Sequence, residues 1–310
     1  MKYIKGTFLH SFAFVFLFLF FFFILAFAEK ASEEPISNPR HLNIAYSAET
    51  FSGVDINDAR IALEAWGKHL TKKLRRPYKT KALVFEDLSS MVKSMKSGEV
   101  DMAVLLSLDY FKVKNDLPIV PSLIGVTGEN ITDEYIILVR KNSGIKKLSQ
   151  LKGKKLNIKV GGRGQIALLW LDTLLLKKGL PECKNLFKSI KKANKASQVL
   201  LPVFFGQADV CIVTKRSFDT MVELNPQLGK EIVILATSPD LLFSVTCFSK
   251  DYNKEWEEEI IESSLKLHEE VEGRQILTFF HQTEIIPFKF SYLEGVKLLR
   301  KEHNELKGKK

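Results

Sequence analysis

Cysteine is scarce in this chain of 310 residues: Cys183, Cys211 and Cys247 lie far apart, and no CxxC pair exists. That excludes a thioredoxin-type redox motif and a thiolate zinc ribbon. Cys211 and Cys247 sit in apolar runs and read as small buried residues. A disulfide stays open, because an exported protein meets an oxidising compartment. Histidine is also sparse, at 6 residues, and none falls in an HExxH pattern. There is no Gly-x-Ser-x-Gly elbow and no phosphate loop, and the glycines at 161–164 do not extend to GxGxxG. Zinc-protease, serine-hydrolase, nucleotide-loop and dinucleotide-binding chemistries therefore lack their residues. No catalytic residue, metal ligand or cofactor is expected, and the chain does not read as an enzyme. The acidic run Glu255, Glu257, Glu258, Glu259 reads as a solvated helix face.

Long apolar runs are also missing, with one exception. Residues 12–27 are almost entirely Phe, Leu, Val, Ile and Ala, preceded by Lys2 and Lys5 and closed by Ala26-Phe27-Ala28. A positive flank, an apolar core and a small-x-small site make a secretory signal. The run is shorter than the ~20 residues a spanning helix needs. Cleavage after Ala28 gives a mature chain starting at Glu29, destined for the periplasm. No Cys at that site supports lipid anchoring, and no stable membrane insertion is expected after cleavage. Residues 29–40 are polar, carry Pro35 and Pro39, and read as a flexible leader. The net charge of +10 falls to +8 once Lys2 and Lys5 leave with residues 1–28. Export argues against nucleic acid as the partner of that charge and leaves an anionic membrane surface or an anionic small molecule. Lys72-Lys73, Lys191-Lys192 and the tail at 307–310 read as solvated.

What remains is long enough for two domains. Residues 42–46, 81–85 and 100–106 read as strands. Between them lie a helix over 58–74, with Asn57 or Asp58 as its cap, and a shorter one after Asp87 that Gly98 stops. Strand–helix alternation of this kind belongs to parallel α/β sheets. Further strands are predicted at 135–140, 156–160, 209–213, 231–236 and 243–248. Helices are predicted at 165–178, 196–205 (shortened or kinked by Pro202), 217–224, 254–271, 274–280 and 292–307.

Three stretches carry a resemblance. Ser97-Gly98-Glu99-Val100-Asp101-Met102-Ala103-Val104 is followed by Tyr110. Lys141-Asn142-Ser143-Gly144-Ile145 is followed by Leu148, Leu151, Lys152 and Gly153. Gly206-Gln207-Ala208-Asp209-Val210 repeats the Gly-x-x-Asp turn. In this order and spacing the chain resembles the phosphate/phosphonate-binding proteins of ABC transporters, over about 42–299. The resemblance implies an α/β, two-lobed type 2 periplasmic binding protein with its ligand cleft between the lobes. Lobe 1 would take 41–135 plus 245–310 and lobe 2 would take 136–244. It also implies an ABC transporter permease as partner. A sensory protein feeding a membrane kinase or chemoreceptor is the alternative, and an enzyme on the same fold the remote one.

Gly161, Gly162, Arg163, Gly164 and Gln165 follow a strand and open a helix. N–H groups at a helix N-terminus favour anions, glycines allow close approach, and Arg163 can grip an oxyanion with its fork. Tyr46, Ser47, Ser107, Tyr110 and Tyr135 lie at strand ends, where open α/β sheets bind ligands. Thr214 stands near where the family often carries an Asp. Two departures leave the ligand open between a phosphonate-like group, another oxyanion and a carboxylate. No Ser or Thr falls between Lys159 and Ile166, where phosphonate and phosphate binders usually carry them, and the family's His-Asp pair is absent near Asn194-Lys195-Ala196. Protein recovered from the exported fraction is expected to begin at Glu29. N-terminal sequencing checks this, and a membrane-bound chain retaining residues 12–27 overturns it.

Overall fold

The computed structural model describes residues 40–51, 55–72 and 78–308. The secretory signal expected over 1–28, the flexible leader up to residue 39 and Leu74 lie outside the described residues. The first half runs β1 (Arg40–Ser47), α1 (Ile56–Lys72), β2 (Tyr78–Phe85), α2 (Leu88–Lys96), β3 (Met102–Leu106), α3 (Ser107–Val113) and β4 (Ile119–Val126). The chain then crosses to β5 (Tyr135–Arg140), β6 (Lys155–Lys159), α4 (Gly162–Lys177), α5 (Cys183–Leu186), β7 (Ser189–Ala193), α6 (Ala196–Phe204), β8 (Val210–Thr214), α7 (Lys215–Leu224), α8 (Pro226–Glu231) and β9 (Ile232–Thr237). It returns as β10 (Ser244–Ser249), α9 (Lys254–Leu265), α10 (Val271–Phe279), β11 (Glu284–Pro287) and α11 (Glu294–Gly308).

These form two mixed sheets. One has the order β11-β4-β10-β3-β1-β2, the other β7-β6-β8-β5-β9. Within each, three strands are parallel (β1, β2 and β3; β6, β7 and β8) and are joined through helices, as the alternating pattern requires. The antiparallel members come from the crossings: β5 pairs β8 and β9, and β10 pairs β3 and β4. β4 was not legible as a strand, because Pro121 sits inside it. The sheet accommodates that proline where the β10–β4 register shifts between Thr246 and Cys247, the kind of bulge where a missing N–H does least harm.

Local chemistry sets the helix ends. Asp87 caps α2 by accepting from the Ser90 N–H (2.9 Å) and Asn253 caps α9 by accepting from Trp256 (3.1 Å). Asp55, rather than Asn57 or Asp58, caps α1, accepting from the Asn57 N–H at 2.8 Å. Pro202 lies within α6 without breaking it. Two paired segments join the lobes. Asp133 and Leu241 exchange N–H···O bonds of 3.0 and 3.1 Å, while Tyr135 and Ser238 are tied by the Ser238 N–H and side-chain hydroxyl, both at 2.8 Å.

From sequence, residues 245–310 fall to the first lobe. In the fold, α11 lies on α4 of the second: Val296 and Leu299 share a core with Trp170, Leu171 and Leu175. His303 Nδ1 is 3.1 Å from Thr173 Oγ1, and Lys177 pairs with Glu302 at 2.7 Å. The three cysteines are buried and unbridged, and burial pushes each thiol well above its usual range. No helix among the described residues is long and apolar enough to cross a membrane.

The turn from β6 into α4 is tight. Gly161 adopts φ 78°, and a Cβ on Gly164 would lie 1.9 Å from the Lys159 carbonyl oxygen. Gly164→Ala must therefore push the helix start off the strand. Overpacking of this kind costs ~1–3 kcal/mol, so a thermal melt of the variant is expected several degrees below the parent; an unchanged melting temperature contradicts the contact.

Candidate functional site

The site is organised by one carboxylate. Asp133 sits in the first crossing and is only 4% exposed. An ionised carboxylate cannot stay buried unless its oxygens are satisfied. Both are: Arg163 Nε donates to Oδ2 at 2.8 Å and Arg216 Nη2 to Oδ1 at 2.6 Å. Arg163 arrives from the first turn of α4 and Arg216 from the first turn of α7. Each is fixed a second time. The Arg163 guanidinium lies 3.9 Å from the Phe243 ring centroid, a cation–π contact, and Arg216 Nη1 donates to the Thr127 carbonyl at 3.3 Å. Two guanidinium groups from different helices are thus held on one rigid point.

They face a cavity of about 130 Å³ between the sheets. By the same measure one water needs only ~10–15 Å³, so the space suits a small molecule. Lys159, at the end of β6, completes the cationic wall. Its pKa is lowered, first by burial and then by Arg163, with Asp133 opposing. His281 also lines the cavity, in a left-handed conformation at φ 55°. Burial, then Arg163, Lys159 and Arg216, lower its pKa, which favours the neutral ring. Asp133 is the single acid among the described lining residues. Lys159, Arg163 and Arg216 against Asp133 leave two net positive charges. Among the described residues, no group of three or more His, Cys, Asp or Glu is placed to hold a metal.

Part of the lining is an aromatic wall. Tyr46, Phe51, Trp66 and Phe280 line it with ring centroids 5.6–6.5 Å apart. The Thr50 hydroxyl lies in the same wall, buried and without a hydrogen-bond partner.

Of the residues singled out from sequence, Tyr46 and Arg163 line the cavity. The Tyr135 hydroxyl is buried without a partner; burial and the Asp133 charge raise its pKa, while Arg163 and Arg216 act against them. The others serve the fold around the cavity. Ser107 is fully buried and donates to the Leu242 carbonyl at 2.6 Å, tying β3 to the second crossing. Ser47 accepts from the Glu49 N–H at 3.3 Å, and Tyr110 is packed in the first-lobe core beside Phe111. Thr214 caps α7, accepting from the Ser217 N–H at 3.3 Å. Gly161 makes the turn, and Gly162 faces Leu106 and Phe243, where a Cβ would lie 2.7 and 3.1 Å from their side chains. Gln165 donates to Glu49 across the lobes. Glu49 itself has a raised pKa, from burial first and then Asp109. Arg163 is more than a loop charge, since it also satisfies buried Asp133. Sequence reasoning missed Asp133, Lys159, Arg216 and His281. Asp133 and Arg216 are 83 residues apart, so no local pattern could couple them.

Comparison with known proteins identifies the family. The family profile described as ABC transporter, phosphonate, periplasmic substrate-binding protein matches residues 56–292. Among solved structures, a Xanthomonas citri protein bound to ATP is similar at 15% identity and TM-score 0.65, over 86% of this chain and 98% of that one. A binding protein component of an ABC phosphonate transporter from Pseudomonas aeruginosa matches at 13% identity and TM-score 0.64, over 87% and 88%. PhnD1 from Prochlorococcus marinus, in complex with methylphosphonate, matches at 15% identity and TM-score 0.61, over 86% and 99%. Identities this low carry the fold, a two-lobed α/β binding protein with a cleft between its sheets. The match over most of the chain shows that this protein belongs to the family of phosphonate-type periplasmic substrate-binding proteins of ABC transporters.

Proposed function

We propose that the cavity captures a small organic anion, held at its charged head by Lys159, Arg163 and Arg216, and that the closed protein presents it to an ABC transporter permease. The observation that carries this is the Asp133 clamp. A carboxylate that spends both oxygens on two guanidinium groups aims them and still leaves the cavity with two net positive charges. A head of the phosphonate type, with one to two negative charges and three oxygens, fits three donors converging from different elements. The N-terminus of α4, from which Arg163 projects, adds partial positive charge on the same side. Hydroxyl-rich loops are one way to grip an oxyanion, and here guanidinium groups take that role. This also accounts for the lack of Ser and Thr between Lys159 and Ile166.

Arg163→Ala removes one charge-assisted pair, worth ~1.5–3 kcal/mol, and should weaken phosphonate binding roughly ten- to hundredfold. It should also lower stability by ~1–3 kcal/mol, because Asp133 keeps only Arg216. Arg163→Lys should restore part of the affinity, since an ammonium lacks the planar fork. Calorimetry with a panel of phosphonates, sulfonates and carboxylates, alongside thermal melts, measures both effects. Parent-like affinity in Arg163→Ala contradicts the proposed head site.

A further inference from the structure

Lys159, Arg163 and Arg216 do not account for the aromatic wall of the same cavity, which has no role in gripping an oxyanion. We infer that this wall is a subsite for an uncharged, apolar substituent, so that the ligand is an organophosphonate bearing an aryl or short alkyl group and not inorganic phosphate or an aminoalkyl phosphonate. The inference rests on the anion-site reading for the head group. Three observations support it.

The first is shape and surface. Tyr46, Phe51, Trp66 and Phe280 all line the cavity, and each ring centroid lies 5.6–6.5 Å from at least two of the others. Aromatic walls pack best against flat or apolar groups in offset or edge-to-face contact. A bare oxyanion would make no apolar contact with that wall. The second is charge. An ammonium on the substituent needs a free carboxylate or a ring of acceptors. The single lining acid among the described residues, Asp133, is already committed to Arg163 and Arg216, and the cavity field is positive. An ammonium would meet like charge with no counter-ion. The third is Thr50, whose buried hydroxyl faces this wall unpartnered. A neutral hydroxyl beside the rings can orient a substituent and supplies no counter-charge to a cation.

The test is a calorimetric series on the mature chain with inorganic phosphate, methylphosphonate, propylphosphonate, 2-aminoethylphosphonate and phenylphosphonate. Propylphosphonate and 2-aminoethylphosphonate have nearly the same shape and differ by a methyl group against an ammonium. Phenylphosphonate should bind at least about tenfold tighter than methylphosphonate, and propylphosphonate at least about tenfold tighter than its amino counterpart. In Phe280→Ala, the affinity ratio of phenylphosphonate to methylphosphonate should shrink toward one, in a variant shown by circular dichroism to be folded. Equal affinity across the series overturns the apolar subsite and leaves the anion site standing. Binding of 2-aminoethylphosphonate as tightly as propylphosphonate overturns the charge argument. Failure of all five to bind overturns the anion-site reading and this inference with it.

Discussion

A buried carboxylate between two guanidinium groups is the constraint on which the rest of this site depends. Asp133 lies in the first crossing between the sheets, where its backbone pairs with Leu241. Arg163 and Arg216 belong to helices that follow two different strands of the second sheet. The ion pairs therefore tie the crossing to the N-termini of α4 and α7. A buried carboxylate with no partner is costly, and two guanidinium groups side by side repel one another. Together the three leave a cationic face that needs little rearrangement to receive an anion. Such pre-organisation lowers the ordering cost of binding.

The lobes meet through contacts of two kinds. Leu106 and Phe243 pack on Gly162, and Gln165 donates to Glu49. The first is apolar and depends on the absence of a side chain at Gly162. The second is polar and reaches across the cleft beside the cavity. Hinge closure around a ligand is the motion expected of this class, and both contacts would be made or broken by it. In the β6–α4 turn, Gly161 takes a positive φ of 78°, Gly162 packs under Leu106 and Phe243, and a Cβ at Gly164 would strike the Lys159 carbonyl. That close approach keeps Lys159 and Arg163 on the same side of the turn, both against the cavity.

Sequence by itself determined the parts of this protein whose causes are local. Strand–helix alternation fixed the parallel strands β1, β2, β3, β6 and β8, because burial on two faces demands apolar runs between amphipathic helices. The cap at Asp87 and the stop at Gly98 follow from backbone groups that must be satisfied within a few residues. Arg163 stood out because a charged residue among glycines at a strand–helix junction is conspicuous. Tertiary structure alone decided what depends on distant partners. β4, β7 and β11 escape a periodicity reading, since a proline-bearing, a lysine-rich and a four-residue strand are stabilised by the neighbours they pair with. The placement of α11 on the second lobe follows from which apolar surface was free to receive it, and sequence order does not encode that. Asp133, Lys159, Arg216 and His281 each look like ordinary surface residues when read along the chain. They become a site only because two crossings and two helix starts converge on one buried point, where removal from water forces charges to find one another.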